Sequence, residues 1–256
     1  MIKPKLVSDR ATVLAQNVPV RTESYTPVSC QLIFDTVDKL SEEFKLLLTR
    51  EEFLLSNRGQ QQRLRFFFGT DEFTKELVVL NSYDKSLALR AASGTNVFIC
   101  SNGVMIGDIK IYKRHVSTVD EQVEEFLREC FQEMQENLEY MQHTKLAYSS
   151  IEITKSFIGE TLGKLFYELE YLGSSQLNIV KKQFEKPSYD YGVSPMSLWA
   201  FYQHVTYSLT YESANNYLEI RRGIQEYFAN YAFNETEEAQ YLISSGESFF
   251  DDYEVL

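Results

Sequence analysis

The chain has little of what most readily betrays a function. No apolar run approaches the roughly 20 residues that a bilayer-spanning helix needs. The opening MIKPKLVSDRATVL has neither the continuous apolar core nor the small-residue cleavage site of a secretory leader, so a cytoplasmic protein without a membrane partner is expected. Cysteine is scarce. Cys30, Cys100 and Cys130 are widely spaced and odd in number, which gives neither a disulfide framework nor a zinc spacing and suits reduced thiols. HExxH, GxSxG, a Walker loop and paired CxxC are all missing. Only His115, His143 and His204 are available as imidazoles. His143 suits the end of an acidic helix, and His204 suits an aromatic core beside Trp199 and Tyr202. The expectation is therefore no enzyme, no catalytic residue, no metal and no cofactor. A metal held by carboxylates distant in sequence stays open, given 37 acids.

What is there is globular: 44% hydrophobic and 14% aromatic residues over 256 positions, enough to bury a sizeable core. Net charge is −12 but unevenly spread. Residues 1–114 hold 16 Lys+Arg against 13 acids, whereas residues 115–256 hold 9 against 24. Two surfaces with different tasks are one reading, and well-solvated acidic helices are the other. An acidic chain still binds nucleic acid where its cations cluster, because local potential outweighs the total.

The pattern along the chain predicts an α+β fold: an antiparallel or mixed N-terminal sheet with a helix, then a mainly helical C-terminal half. Residues 1–28, with Pro4, Pro19 and Pro27, read as an extended arm. Residues 29–116 read as the sheet region. There, Ile33, Phe34, Val37, Leu40 and Phe44 fall at helical spacing over 31–44. EEFLLSNRGQQQRLRFFFG reads as a hairpin turning on Asn57-Arg58-Gly59. KELVVLNSY, TNVFICSN and VMIGDIKIYKR read as further strands, with Asn81, Asp84, Gly94, Asn102 and Gly103 as turn formers.

Residues 117–233 read as a helical region packed on the sheet. Thr118 and Glu121 fit a capping box before an apolar stripe running from Val123 to Met141. A second helix is expected to stop at Gly173, and another to open with Ser194 as cap and Pro195 as first residue. Residues 234–256 carry seven acids and no base among Tyr and Phe, which suits a mobile acidic tail.

Cations interleaved with aromatics are the main functional signal. Period-two geometry puts Arg63 and Arg65 on one sheet face and Leu64 on the other. With Arg58, Lys85, Arg90, Lys110, Lys113, Arg114 and His115 nearby, that face offers charge for phosphates, and Phe67 a ring for base stacking. The competing reading is a solvated sheet face with Phe66 and Phe68 alternating into the core.

Asn81, Ser82, Tyr83, Asp84, Lys85 and Ser86, then Gly94, Val97, Phe98, Cys100, Ser101 and Asn102, then Lys113, Arg114 and His115, resemble the phage/plasmid-like protein family known as domain of unknown function 932. Arg21, Tyr25 and Pro27 look like its opening element. SPMSLWAFYQHVTYSL looks like a later helix of the form Leu-Trp-x-x-Tyr-Asn-x-x-Thr, with Gln203 in place of the Asn. The resemblance implies a mobile-element origin and a role in replication, recombination or the blunting of host defence, in the cytoplasm of a bacterial host; it supplies no catalytic residues.

GESFFDDYEVL also looks like the acidic tips of single-stranded-DNA-binding proteins, which dock partner enzymes. It ends in Leu where those tips usually end in Phe. Phe249, Phe250, Asp251, Asp252 and Leu256 are the expected partner-binding residues. The expected function is nucleic-acid binding, single-stranded DNA foremost, with RNA not distinguished. The alternative is an acidic module that mimics DNA or inhibits a host defence protein, since Glu121, Glu124, Glu125, Glu129, Glu133, Glu136 and Glu139 recur along one helix. The many Phe and Tyr would equally suit a homo-oligomer interface.

Overall fold

The computed structural model describes residues 5–7, 9–23, 25–69, 73–97, 103–111, 119–136, 138–212 and 216–235. Its contacts divide the chain into two units. The first takes in Met1–Phe98, Met105–Glu136 and Tyr211–Leu218, and the second the remainder.

The first unit is built on a sheet whose strands follow in chain order. They are β1 (Lys5–Val7), β2 (Leu48–Ser56), β3 (Gln61–Phe68), β4 (Phe73–Ser82), β5 (Arg90–Val97) and β6 (Gly103–Ile111). Neighbours from β1 to β5 pair antiparallel. Alternation sorts the side chains. Phe53, Leu55, Leu64, Phe66, Phe68, Leu77, Val79 and Ala91 join one core with helices α2 (Cys30–Glu43) and α3 (Val119–Glu136). The i, i+3, i+4 stripe Ile33, Phe34, Val37 and Leu40 of α2 is buried to the last atom or nearly so. The Phe34 ring lies 5.3 Å from Phe53 and 6.0 Å from Phe66, and Phe68 meets Phe131 of α3 at 5.3 Å. At fully buried positions such rings each contribute roughly 3 kcal/mol by removal of apolar area from water. Ser29 starts α2 by accepting a bond from the Leu32 amide at 3.1 Å.

The expected arm contains β1 and a short helix, α1 (Arg10–Leu14), capped by Asp9. Arg10 ties that helix down by ion pairs to Asp38 and Glu51, both at 2.6 Å. Pro4 and Pro19 lie outside these two elements, so they do not interrupt either. The helix α3, assigned above to the helical half, belongs with the sheet.

The second unit holds α4 (Leu138–Ser150), α5 (Lys155–Gly163) continuing as a π-helical turn (Lys164–Glu168), α6 (Ser174–Glu185), α7 (Leu198–Tyr207) and most of α8 (Tyr217–Glu235). Its core is aromatic. Phe201 of α7 touches Phe157, Phe184 and Phe228, and Tyr202 touches Tyr148, Trp199 and Phe228.

Two helix boundaries differ from expectation. Gly173 does not stop α5; it precedes α6 as the N-cap position, and α5 ends on the π turn with Glu170 in a left-handed conformation, φ 54°. Ser197 caps α7 by accepting from the Ala200 amide, so Ser194 and Pro195 form the turn before it. No helix among the described residues is long and apolar enough to cross a membrane.

Candidate nucleic-acid interface

The sheet face opposite the apolar core carries Arg50, Glu52, Arg63, Arg65, Phe67, Glu76 and Arg90, as the registers Glu52–Arg65–Val78, Phe67–Glu76 and Arg63–Leu80–Arg90 require. Arg63 and Arg65 therefore share a face, as their spacing predicted. That face is not solvated. Arg63 is 1% exposed, Arg65 3% and Phe67 1%. The Arg63 guanidinium sits 3.9 Å from the Tyr217 ring centroid and donates to the Glu212 carbonyl at 3.1 Å. Arg65 donates from Nε to Glu76 at 2.5 Å and from Nη1 to Glu52 at 3.0 Å. Burial opposes the charge on Arg65, and Glu76, Tyr217 and Glu52 more than offset it, so its proton is held more firmly than in a free arginine.

Phe67 lies under two guanidiniums, Arg50 at 4.0 Å and Arg65 at 4.8 Å. It is thus a buried cation–π partner and not an open stacking ring. The physical reason is partnering: Glu52 and Glu76 neutralise Arg65, and Glu212 and Tyr217 lie against Arg63. Phe66 and Phe68 do alternate into the apolar core.

Two of the expected cations stand differently. Arg58 and Lys85 are exposed, and each sits in a tight turn at the same end of the sheet. Asn57, Arg58 and Lys85 all have left-handed backbones, φ 46°, 58° and 63°, a conformation that costs non-glycine residues of order 1 kcal/mol or more each. Gly59 completes the first turn at φ 84°, with the Gln16 side chain packed where a Cβ would stand.

Asp84 clamps the turns together. Its carboxylate accepts from Asn57 Nδ2 at 2.6 Å, from Gln61 Nε2 at 3.1 Å, and from the amide and hydroxyl of Ser86 at 3.0 and 2.5 Å. Partial burial works against its ionisation, but the bonds from Ser86, Asn57 and Gln61 prevail and hold the carboxyl below its ordinary range. The Tyr25 hydroxyl donates to the Ser82 carbonyl at 3.1 Å, and Lys85 Nζ lies 4.9 Å from the Tyr25 ring centroid. Two cations and a half-buried ring are thereby held on one braced end of the sheet.

Two of the expected turn formers do other work. Asn81 is buried in β4 and donates to the Val28 carbonyl at 3.0 Å. Beside it the Tyr83 hydroxyl accepts from the Cys30 amide at the start of α2. Gly94 lies within β5 opposite Glu76, on the arginine face, and not in a turn. Gly103 opens β6. Lys110 belongs to β6, with its side chain outside the described residues. Asn102, Lys113, Arg114, His115, Phe249, Phe250, Asp251, Asp252 and Leu256 also lie outside them. Arg90 is half-buried on the Arg63 face.

Tyr25 and Gln61 were not singled out as site residues from sequence, because a ring and an amide that brace a turn leave no periodic signal. Only the Asn-Arg-Gly and Asp-Lys-Ser spacings pointed there. Along α3, Glu124 is spent on Lys39 and Arg128, and Glu133 accepts from Ser93, which draws two carboxylates out of the acidic row. Among the described residues no group of three or more His, Cys, Asp or Glu is arranged to hold a metal ion.

Neither the curated proteins nor the solved structures contain a match to this chain. A family match, by contrast, runs from residue 18 to residue 231. It takes in the Tyr25 element, the Asn57 turn, the Asn81–Ser86 block and α7. With most of its length matched, the chain belongs to the family described as Domain of unknown function (DUF932).

Proposed function

We propose that this chain is a phage or plasmid protein that binds single-stranded DNA in replication or recombination without catalysing a reaction, and that it does so through the paired turns bearing Arg58 and Lys85. One observation carries the reading: two exposed cations are presented from left-handed positions that glycine would occupy with less strain, beside an aromatic ring and locked to one another through Asn57 and Asp84. Where no helix end calls for it, unlike at Glu170, strain kept at two exposed cations on braced turns is accounted for by a use for the charges. Cations for phosphates next to a ring for a base are the elements of single-strand binding. The mobile-element setting rests on the family resemblance.

Fluorescence anisotropy of a labelled oligothymidine against the wild type and R58G/K85G tests the proposal. Glycine removes both charges while suiting both backbones. The expected result is at least tenfold weaker binding at low salt and a log–log salt slope shallower by about 1.4, for two lost phosphate contacts on a single strand. Denaturant stability should be unchanged, or higher by up to about 1 kcal/mol per site. Equal affinity for the two proteins removes the proposal. If the wild type binds no oligonucleotide, single-stranded or duplex, DNA or RNA, the acidic-module alternative takes its place.

A further inference from the structure

The second unit is predominantly acidic, yet Lys181, Lys182 and Lys186 fall within six residues at the C-terminal end of α6. All three are exposed, and none is ion-paired with a described residue. One cation in a last helical turn is accounted for by the backbone carbonyls there. Three so close in sequence, with Lys186 already past the last helical turn, are not, and like charges at this spacing repel one another. Glu185 is the one acid among them.

The same unit carries the complement. Residues 236–256 hold six acids, Glu237, Glu238, Glu247, Asp251, Asp252 and Glu254, and no base. They follow α8, which shares a neighbour with α6: the Phe201 ring of α7 lies 5.7 Å from Phe184 in α6 and 5.3 Å from Phe228 in α8. From Phe228 to the end of α8 is roughly 10 Å at 1.5 Å per residue. The 21 residues beyond span up to about 70 Å when extended, so the lysines are within reach in either direction.

We infer that the acidic segment 236–256 docks in cis on the Lys181–Lys182–Lys186 face of α6. Charge complementarity, membership of one unit and reach support this occupant, and the inference is independent of the Arg58–Lys85 interface. Docking there shields the exposed lysines from other polyanions and removes their mutual repulsion.

Lysine acetylation rates, followed residue by residue by mass spectrometry on the full chain, test it. The comparison is with a full-length variant in which the six acids become amides: E237Q, E238Q, E247Q, D251N, D252N and E254Q. The expected result is labelling of Lys181, Lys182 and Lys186 that rises severalfold in the variant, with Lys155 and Lys164 unchanged. Raising salt to about 0.5 M should produce the same selective rise in the wild type, because it shortens the screening length to a few ångström. Protection should also be independent of protein concentration. Equal labelling of the two proteins overturns the inference, and so does a uniform rise at every lysine. Protection that grows with protein concentration assigns the segment to a second copy and overturns docking in cis.

Discussion

A single carboxylate decides whether the paired turns exist. Asp84 accepts four of the five bonds that hold Asn57, Gln61 and Ser86 together, the fifth running from Gln61 Nε2 to Ser86 Oγ at 2.9 Å. Asp84→Ala therefore removes the only acceptor that links the two turns through Asn57 among these bonds and should destabilise by about 1–3 kcal/mol in a urea titration. Because its carboxyl titrates below the unfolded value near 3.8, its contribution is complete above that value and fades as pH falls through the lower folded one. Asp84→Asn should therefore flatten the acid end of the stability profile.

His204 works in the opposite sense to a paired histidine. Its ring is buried between Phe184 and Tyr191, at 4.7 and 5.6 Å, and Nδ1 has no hydrogen-bond partner among the described residues. Burial pushes its pKa down from 6.5 to about 4. The unfolded chain takes up this proton near 6.5 and the folded chain only near 4, so stability falls as pH drops through that window. Thermal melts from pH 7 to 4.5 should show the fall, and His204→Gln should lessen it. The sequence placed His204 in an aromatic core from its neighbours Trp199 and Tyr202, and the structure agrees. It gave no sign that Gln61 would brace a turn, because such amides follow no period.

At the scale of elements, the strands and their alternation were legible because one sheet face is apolar and the period of two is strict. The Asn57-Arg58-Gly59 hairpin was legible because turns of this kind favour such residues. The fate of the second face was not. Whether Arg63 and Arg65 meet water or partners depends on register and on cover from Glu212 and Tyr217, which lie about 150 positions away in sequence. A buried ion pair makes a testable demand. Glu76→Ala leaves Arg65 charged and short of its nearest partner at 3% exposure and should cost 3–5 kcal/mol, whereas replacing Arg65 and Glu76 together with leucines should cost less than the sum of the single changes.

The π turn supplies a control for the strained cations. Glu170 is left-handed, like Arg58 and Lys85, but stands apart from the paired turns in sequence and in unit. Glu170→Gly should stabilise by up to about 1 kcal/mol with oligonucleotide affinity unchanged. The same relief at Arg58 and Lys85 should weaken binding. Opposite effects on affinity from one chemical change separate strain that serves a ligand from strain that serves a helix end.

For the whole molecule, the uneven charge seen in the sequence resolves into two units with different interiors: an apolar core and a paired ionic face around the sheet, and an aromatic core among the helices. Arg10 and Arg65 of the first unit are consumed internally by Asp38, Glu51, Glu52 and Glu76, and Arg63 is buried beside Tyr217, which is why counting basic residues overstated the surface available to a polyanion. On the sheet, Arg58 and Lys85 stay outside, at one end. The most direct measurement is photo-cross-linking of a 4-thiothymidine-substituted single strand to the wild-type protein, followed by peptide mapping. Cross-links at Tyr25 and within 57–58 and 84–86 are the result this account predicts. Cross-links confined to other segments, or their absence under conditions where the strand binds, would contradict it.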